Sequence, residues 1–211
     1  MFRSHITRRV AALLAALRPG VVQAHCDTED GPAVTAGRRA LETGNLNHAL
    51  PWIPAEGEAE LRDVFDKALR VRALGDEAAE LADRLFIETL VRIHRMAEGV
   101  GFTGVQPSGA VLDPVVAAAE DAVATGSDAA LLAVVPEERR AELHERFHAA
   151  LAARDFDVDD VAAARRYVAA YVGFLKYAEG EEHDHHGASH THGDHVHGEH
   201  AHGEHVLSHS H

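Results

Sequence analysis

"EAAELADRLFIETLVRIHRMAE", residues 77–98, runs for six turns without a proline or a glycine. Its apolar side chains recur at helical spacing: Leu81, Leu85, Phe86, Leu90 and Ile93 mark a buried side, and Arg84, Glu88, Arg92 and Arg95 a polar one. A helix this long and apolar needs partners of its own kind, and the flanking sequence offers them. Residues 33–43 read as a short helix ended by Gly44 and Asn45, followed by a connector (45–57) with two prolines. Residues 57–73 place Leu61, Val64, Phe65, Ala68 and Leu69 on one face, and Gly75-Asp76 punctuates before the long helix. Beyond a glycine-rich loop (99–111), helices are predicted at 113–124, 128–134, 136–153 and 159–178, the last with Val161, Val168, Tyr171, Val172 and Leu175 inward. The expectation is an all-α fold, an antiparallel helical bundle.

Composition agrees. Alanine is abundant and aromatics are only 5% of 211 residues, which favours helices over a sandwich or barrel. A formal charge of −14 argues against nucleic-acid binding, which needs a basic face, and suits cations as ligands. No run approaches the ~20 apolar residues of a spanning helix, so no stable membrane insertion is expected once any leader is removed. With one cysteine, the chain forms no internal disulfide.

The ends differ from the middle. Residues 1–24 hold Arg3, Arg8, Arg9 and Arg18 and no acid, around the apolar run "VAALLAAL" (10–17). Val22 and Ala24 fit the −3 and −1 positions of a signal-peptide cleavage site. Cleavage there predicts a secreted or periplasmic protein beginning at His25; the alternative is a cytoplasmic protein that keeps a basic N-terminal helix. Residues 181–211 contain 12 histidines and six acids with no lysine or arginine, a segment too polar to fold on its own. Its unit Gly-[Asp/Glu]-His-X-His occurs at 193–197 and 198–202, with a degenerate copy from 203. Imidazoles at this spacing bind nickel, zinc or copper, with affinity falling below pH ~6 as the rings take up protons. The tail ligands are His183, His185, His186, His190, His192, His195, His197, His200, His202, His205, His209 and His211. Such tails resemble those of nickel and zinc chaperones, which hand metal to an accepting protein.

A second candidate is "HCDTEDGP", residues 25–32. An N-terminal histidine would offer its α-amine and its ring, and Cys26 a thiolate. The order His-Cys-Asp-X-X-X-Gly is similar to the amino-terminal hook of nickel superoxide dismutase, where the amine, the first ring, a backbone amide and two thiolates hold the metal. The second thiolate position is Asp30 here, which removes one soft ligand. The plainer reading makes Cys26 a buried small residue and Asp27 or Asp30 the cap of the helix at 33. "HCDTEDGPAV", "LADRLFIETLVRIHRMAEG" and "YVAAYVGFLKYAEG" together resemble an uncharacterised family of bacterial helical proteins whose mature domain opens at that histidine. The resemblance implies the fold and export, and no activity.

Two further pairs stand out. His94 and Glu98 share a helix face at i,i+4, either as a core hydrogen-bonding pair or as additional ligands for the His25–Cys26–Asp30 end. "HERFH", 144–148, fits H-E-x-x-H, with His144 and His148 as zinc ligands and Glu145 as base, but no third ligand or neighbouring strand accompanies it, which favours incidental zinc or nickel binding over peptidase activity. "GVGFTG", 99–104, spells G-x-G-x-x-G after a helix, so it is a loop. The chain thus divides into a leader (1–24), a helical domain (25–180) and a metal-binding tail (181–211). The expected function is buffering or delivery of a transition metal. The alternatives are a redox metalloenzyme at His25–Cys26, a zinc peptidase, and an interaction module with an incidental tail.

Overall fold

The computed structural model describes residues 25–109 and 112–180. The expected leader and tail, with every tail histidine, lie outside the described residues. Within them the chain is all-α, as the periodicities predict: α1 (Pro32–Thr43), α2 (Glu58–Arg72), α3 (Asp76–Ala97), α4 (Pro114–Thr125), α5 (Ala129–Val134), α6 (Glu137–Ala153) and α7 (Val161–Glu179). Local chemistry sets the boundaries. Asp113 accepts the Val115 N–H at 2.8 Å to open α4, and Asp160 accepts the Ala163 N–H at 2.9 Å to open α7. Gly44 (φ 68°) and Gly126 (φ 73°) close α1 and α4 in the left-handed conformation that a Cβ disfavours. The two-proline connector winds into three 3₁₀ turns, Leu46–His48, Leu50–Trp52 and Ala55–Gly57.

The apolar faces collapse into two cores. The first joins Val34 and Leu41 of α1, Leu61 and Phe65 of α2, and Phe86 and Leu90 of α3. The second joins Val116, Leu131, Leu143, Phe147, Phe174 and Leu175 from α4 to α7. Each large side chain fully buried there contributes about 1.5–3 kcal/mol. Gly37 lets α1 approach α3 closely: a Cβ at that position would meet Ile87 Cδ1 at 2.6 Å and Leu90 Cδ2 at 2.7 Å. Trp52, on the second 3₁₀ turn, packs against both cores and lies on the seam between them.

The long helix departs from its expected faces. Leu81 and Leu85 are 69% and 58% exposed, whereas Arg95 is 5% exposed. At 100° per residue Leu81 and Leu85 share a stripe with Glu88, Arg92 and Met96, about a third of a turn from the Phe86–Leu90–Ile93 line. Towards its C-terminus α3 enters the seam and is covered over more of its circumference, so Val91, His94 and Arg95 are buried as well, while Met96 stays exposed. No described helix is long and apolar enough to cross a membrane.

Candidate metal centre at the seam

The opening motif is a compact turn. The Thr28 N–H and hydroxyl both donate to the His25 carbonyl (3.2 and 2.9 Å), and the Gly31 N–H donates to the Thr28 carbonyl (2.9 Å). The turn leaves no room for a side chain at Gly31, where a Cβ would lie 2.2 Å from the His25 carbonyl oxygen. The glycine-rich loop clasps it from outside. Glu29 N–H donates to the Gln106 carbonyl and Gln106 N–H to the Asp27 carbonyl, both at 2.9 Å. Asp30, fully at the surface, accepts the Gly109 N–H at 3.1 Å. Neither Asp27 nor Asp30 caps α1: Gly31 is the N-cap, and Pro32 follows with no amide hydrogen to satisfy.

This turn delivers His25, Cys26 and Asp27 into the seam. Cys26 is 2% exposed, in keeping with the plainer reading of that residue. Burial pushes its thiol up to about 12, with the carboxylates of Glu98, Asp27 and Glu120 adding to the shift and Lys176 opposing it. His25 Nε2 lies 3.5 Å from Glu120 Oε1, which also accepts the Tyr171 hydroxyl at 2.5 Å. Asp27 and Arg95, 5% and 6% exposed in their side chains, pair at 2.9 Å. Burial raises the Asp27 carboxyl to about 7, Arg95 pulling it down and Glu98 pushing it further up.

His94 and Glu98 meet the same seam. His94 Nδ1 is 2.8 Å from the Trp52 carbonyl oxygen, which only accepts, so Nδ1 carries a hydrogen, and in its neutral form the ring presents a lone pair at Nε2. That lone pair faces Glu98 Oε2 at 3.7 Å, another acceptor. Both atoms are buried, and neither has a hydrogen-bond partner among the described residues. The other Glu98 oxygen accepts from Lys176 Nζ at 2.9 Å. Two acceptors face each other with nothing donated between them, an arrangement that a proton or a metal ion resolves.

The structure therefore brings His25, Cys26, His94 and Glu98 into one region and leaves Asp30 out of it. The carboxylate at the second-thiolate position is committed to the loop at Gly109, so it does not complete a hook of the superoxide dismutase kind. As they stand, no three His, Cys, Asp or Glu side chains among the described residues converge tightly enough to hold an ion. Glu120 and Lys176 carry no sequence signal for the seam; from sequence Asp27 reads only as a possible cap and Tyr171 only as an inward residue of the last helix. The HERFH pair lies elsewhere, exposed on α6, with His144 Nδ1 held by Asp128 at 2.6 Å. A groove of about 550 Å³ between α1 and α3 lies away from this chemistry, its charged wall including the ion pairs Arg72–Asp83 and Arg84–Glu88.

The raised thiol has a consequence in alkali. An unfolded cysteine ionises near pH ~8.5, so burial of the neutral thiol stabilises the fold fully below that pH and is lost as pH rises towards 12. Alkaline unfolding followed by circular dichroism is expected to move to higher pH in Cys26→Ala, relative to its own neutral-pH stability. An unchanged profile would mean that the Cys26 thiol ionises alike in the folded and unfolded chain, so that burial does not raise its pKa.

The fold and seam define an all-α bundle whose two cores enclose a buried cysteine, a histidine pair and several carboxylates. The chain matches the family of unknown function DUF6448 over residues 30–177 and belongs to it. The match begins inside the opening motif and covers nearly all of the described bundle. No curated protein and no solved structure matches the chain.

Proposed function

We propose that this protein binds a transition metal, nickel, zinc or copper, and buffers or delivers it to an accepting protein. The tail histidines collect ions, and the seam holds one. The observation that carries the reading is the pair of facing, unsatisfied acceptors, His94 Nε2 and Glu98 Oε2, beside a thiol set among carboxylates. Tetrahedral zinc with ligands at about 2.0–2.2 Å separates its donor atoms by roughly 3.4 Å, near the 3.7 Å found here. Glu98 and Glu120, with Asp27 about half ionised near pH 7, face Arg95 and Lys176, so the seam carries no excess positive charge to repel an added cation. A bound ion would displace the Cys26 proton despite the raised pKa, because coordination deprotonates a thiol outright. The reading takes His25 as the exported protein's N-terminus, whose α-amine would add a ligand; Asp30 has no part in it.

The test is metal per chain by mass spectrometry on the exported protein with and without residues 181–211. One ion retained by the shortened chain is expected, falling at least tenfold in affinity in Cys26→Ser and in His94→Ala. Retention of several ions by the full chain and none by the shortened one would confine metal binding to the tail and reject the seam site. Absence of metal from both would reject the reading as a whole.

A further inference from the structure

The exposed face of α6 carries a histidine pair that the seam does not use. His144 and His148, one turn apart, stand with ring centroids 4.4 Å apart and edge-to-face. His144 is 50% exposed in its side chain, whereas its partner Asp128 is only 13% exposed, lodged where α5 begins. Asp128 occupies the N-cap position of α5, yet its carboxylate caps nothing there; it is turned to His144 Nδ1 at 2.6 Å. A carboxylate only accepts, so His144 carries a hydrogen on Nδ1, which leaves Nε2 as the nitrogen open to a ligand on this half-exposed ring. A carboxylate behind a histidine that fixes its tautomer and aims the other nitrogen outward is the support that metal-ligating histidines have. His148 follows at i+4, on the same face.

We propose that His144 and His148, with Asp128 as positioning residue, form a second metal site: an open two-imidazole chelate for nickel(II), zinc(II) or copper(II), water filling the other positions. Two protein ligands and an exposed face make an exchangeable site rather than a storage site. Arg139, on the same helix, donates to the Tyr177 carbonyl and stacks on the Tyr177 ring at 4.6 Å, which fixes the end of α7 beside the start of α6. The last described residue, Gly180, lies against that arginine. His144 lies five residues beyond Arg139, about 7.5 Å along the helix axis and about 140° around it, so the histidine pair stands on the face turned away from Tyr177. The proposal extends the metal-handling reading to another part of the body, and its residues share no contact with the seam.

The test uses the full-length chain with the twelve histidines of 181–211 changed to asparagine, titrated calorimetrically with nickel(II) alone and zinc(II) alone. An ion that binds equally well in a Cys26→Ser background, and at least tenfold more weakly after His144→Ala or His148→Ala, is the expected result. Asp128→Asn should weaken it by about 10–100-fold, with Asp128→Glu recovering part of the loss. In the metal-free protein, Asp128→Asn should also move the His144 ring hydrogen off Nδ1 in a long-range ¹H–¹⁵N spectrum, a change that a merely structural role would not produce. Binding that survives His148→Ala but disappears with Cys26→Ser would overturn this site and leave the seam reading intact. Binding lost with His148→Ala alone would establish this site and count against the seam. No binding to the parent of this series would reject both body sites.

Discussion

Gly31→Ala is expected to make Cys26 react with a thiol reagent at least about a hundredfold faster at pH 8. In the wild type two barriers act together. The thiol is 2% exposed, and its pKa near 12 leaves roughly one molecule in ten thousand ionised at that pH. Both barriers depend on the turn from His25 to Gly31. An alanine Cβ would lie 2.2 Å from the His25 carbonyl oxygen and 3.0 Å from that of Cys26, and neither is a side chain that can swing away. The turn must open, the Thr28 and Gly31 hydrogen bonds must lengthen, and the thiol regains water and an ordinary pKa. Because the chain has a single cysteine, the reaction reports on this site alone. An unchanged rate in Gly31→Ala, with the urea-unfolded protein reacting fully, would show that the turn is not what protects Cys26.

The second large effect is an asymmetry in the Asp27–Arg95 pair. Asp27→Ala takes the carboxyl away from a buried guanidinium that cannot shed its proton; the expected loss is about 3–5 kcal/mol near pH 7 and larger at pH 5, because the contribution of Asp27, greatest at low pH, goes with it. Arg95→Met leaves a carboxyl that can take up a proton instead. Asp27 already titrates near 7 with Arg95 beside it, so without Arg95 it stays neutral at pH 6. The loss should therefore be smaller at pH 6 and grow as pH rises. The sign in the wild type follows from the same group. Its folded pKa is above the unfolded value of about 3.9, so its contribution is greatest below pH ~4 and declines as pH rises through 7. Urea unfolding at pH 5, 6, 7 and 8 measures all three. Equal losses in the two variants at every pH would refute the asymmetry.

The helices were legible because they are written locally. The Phe86–Leu90–Ile93 line, Asp113 before Pro114, Asp160 before α7 and Gly44 after α1 each act within a turn or two of themselves. The bundle follows, since every such face needs another. The seam was less legible because its pairs are distant in sequence. Nothing near Arg95 indicates that Asp27 awaits it 68 residues earlier, so it was placed among solvated arginines. Asp30 reads as a ligand only through its place in the hook resemblance, while its partner in the fold is a backbone amide at Gly109. Leu81 and Leu85 looked buried because periodicity defines a stripe without saying how wide a neighbour covers it. His94 and Glu98 were paired correctly by i,i+4 spacing, but their mutual lack of a donor depends on the Trp52 carbonyl, 42 residues away from His94.

That tryptophan gives the molecule a built-in optical gauge. Trp52 is the only one in the chain. Its ring stands edge-on to His94 at 6.1 Å and to Tyr171 at 6.3 Å, and it packs against both cores. Its emission therefore reads out, in one colour, the wetness of the seam, the separation of the two halves of the bundle and the arrival of any quenching ion at the neighbouring imidazole.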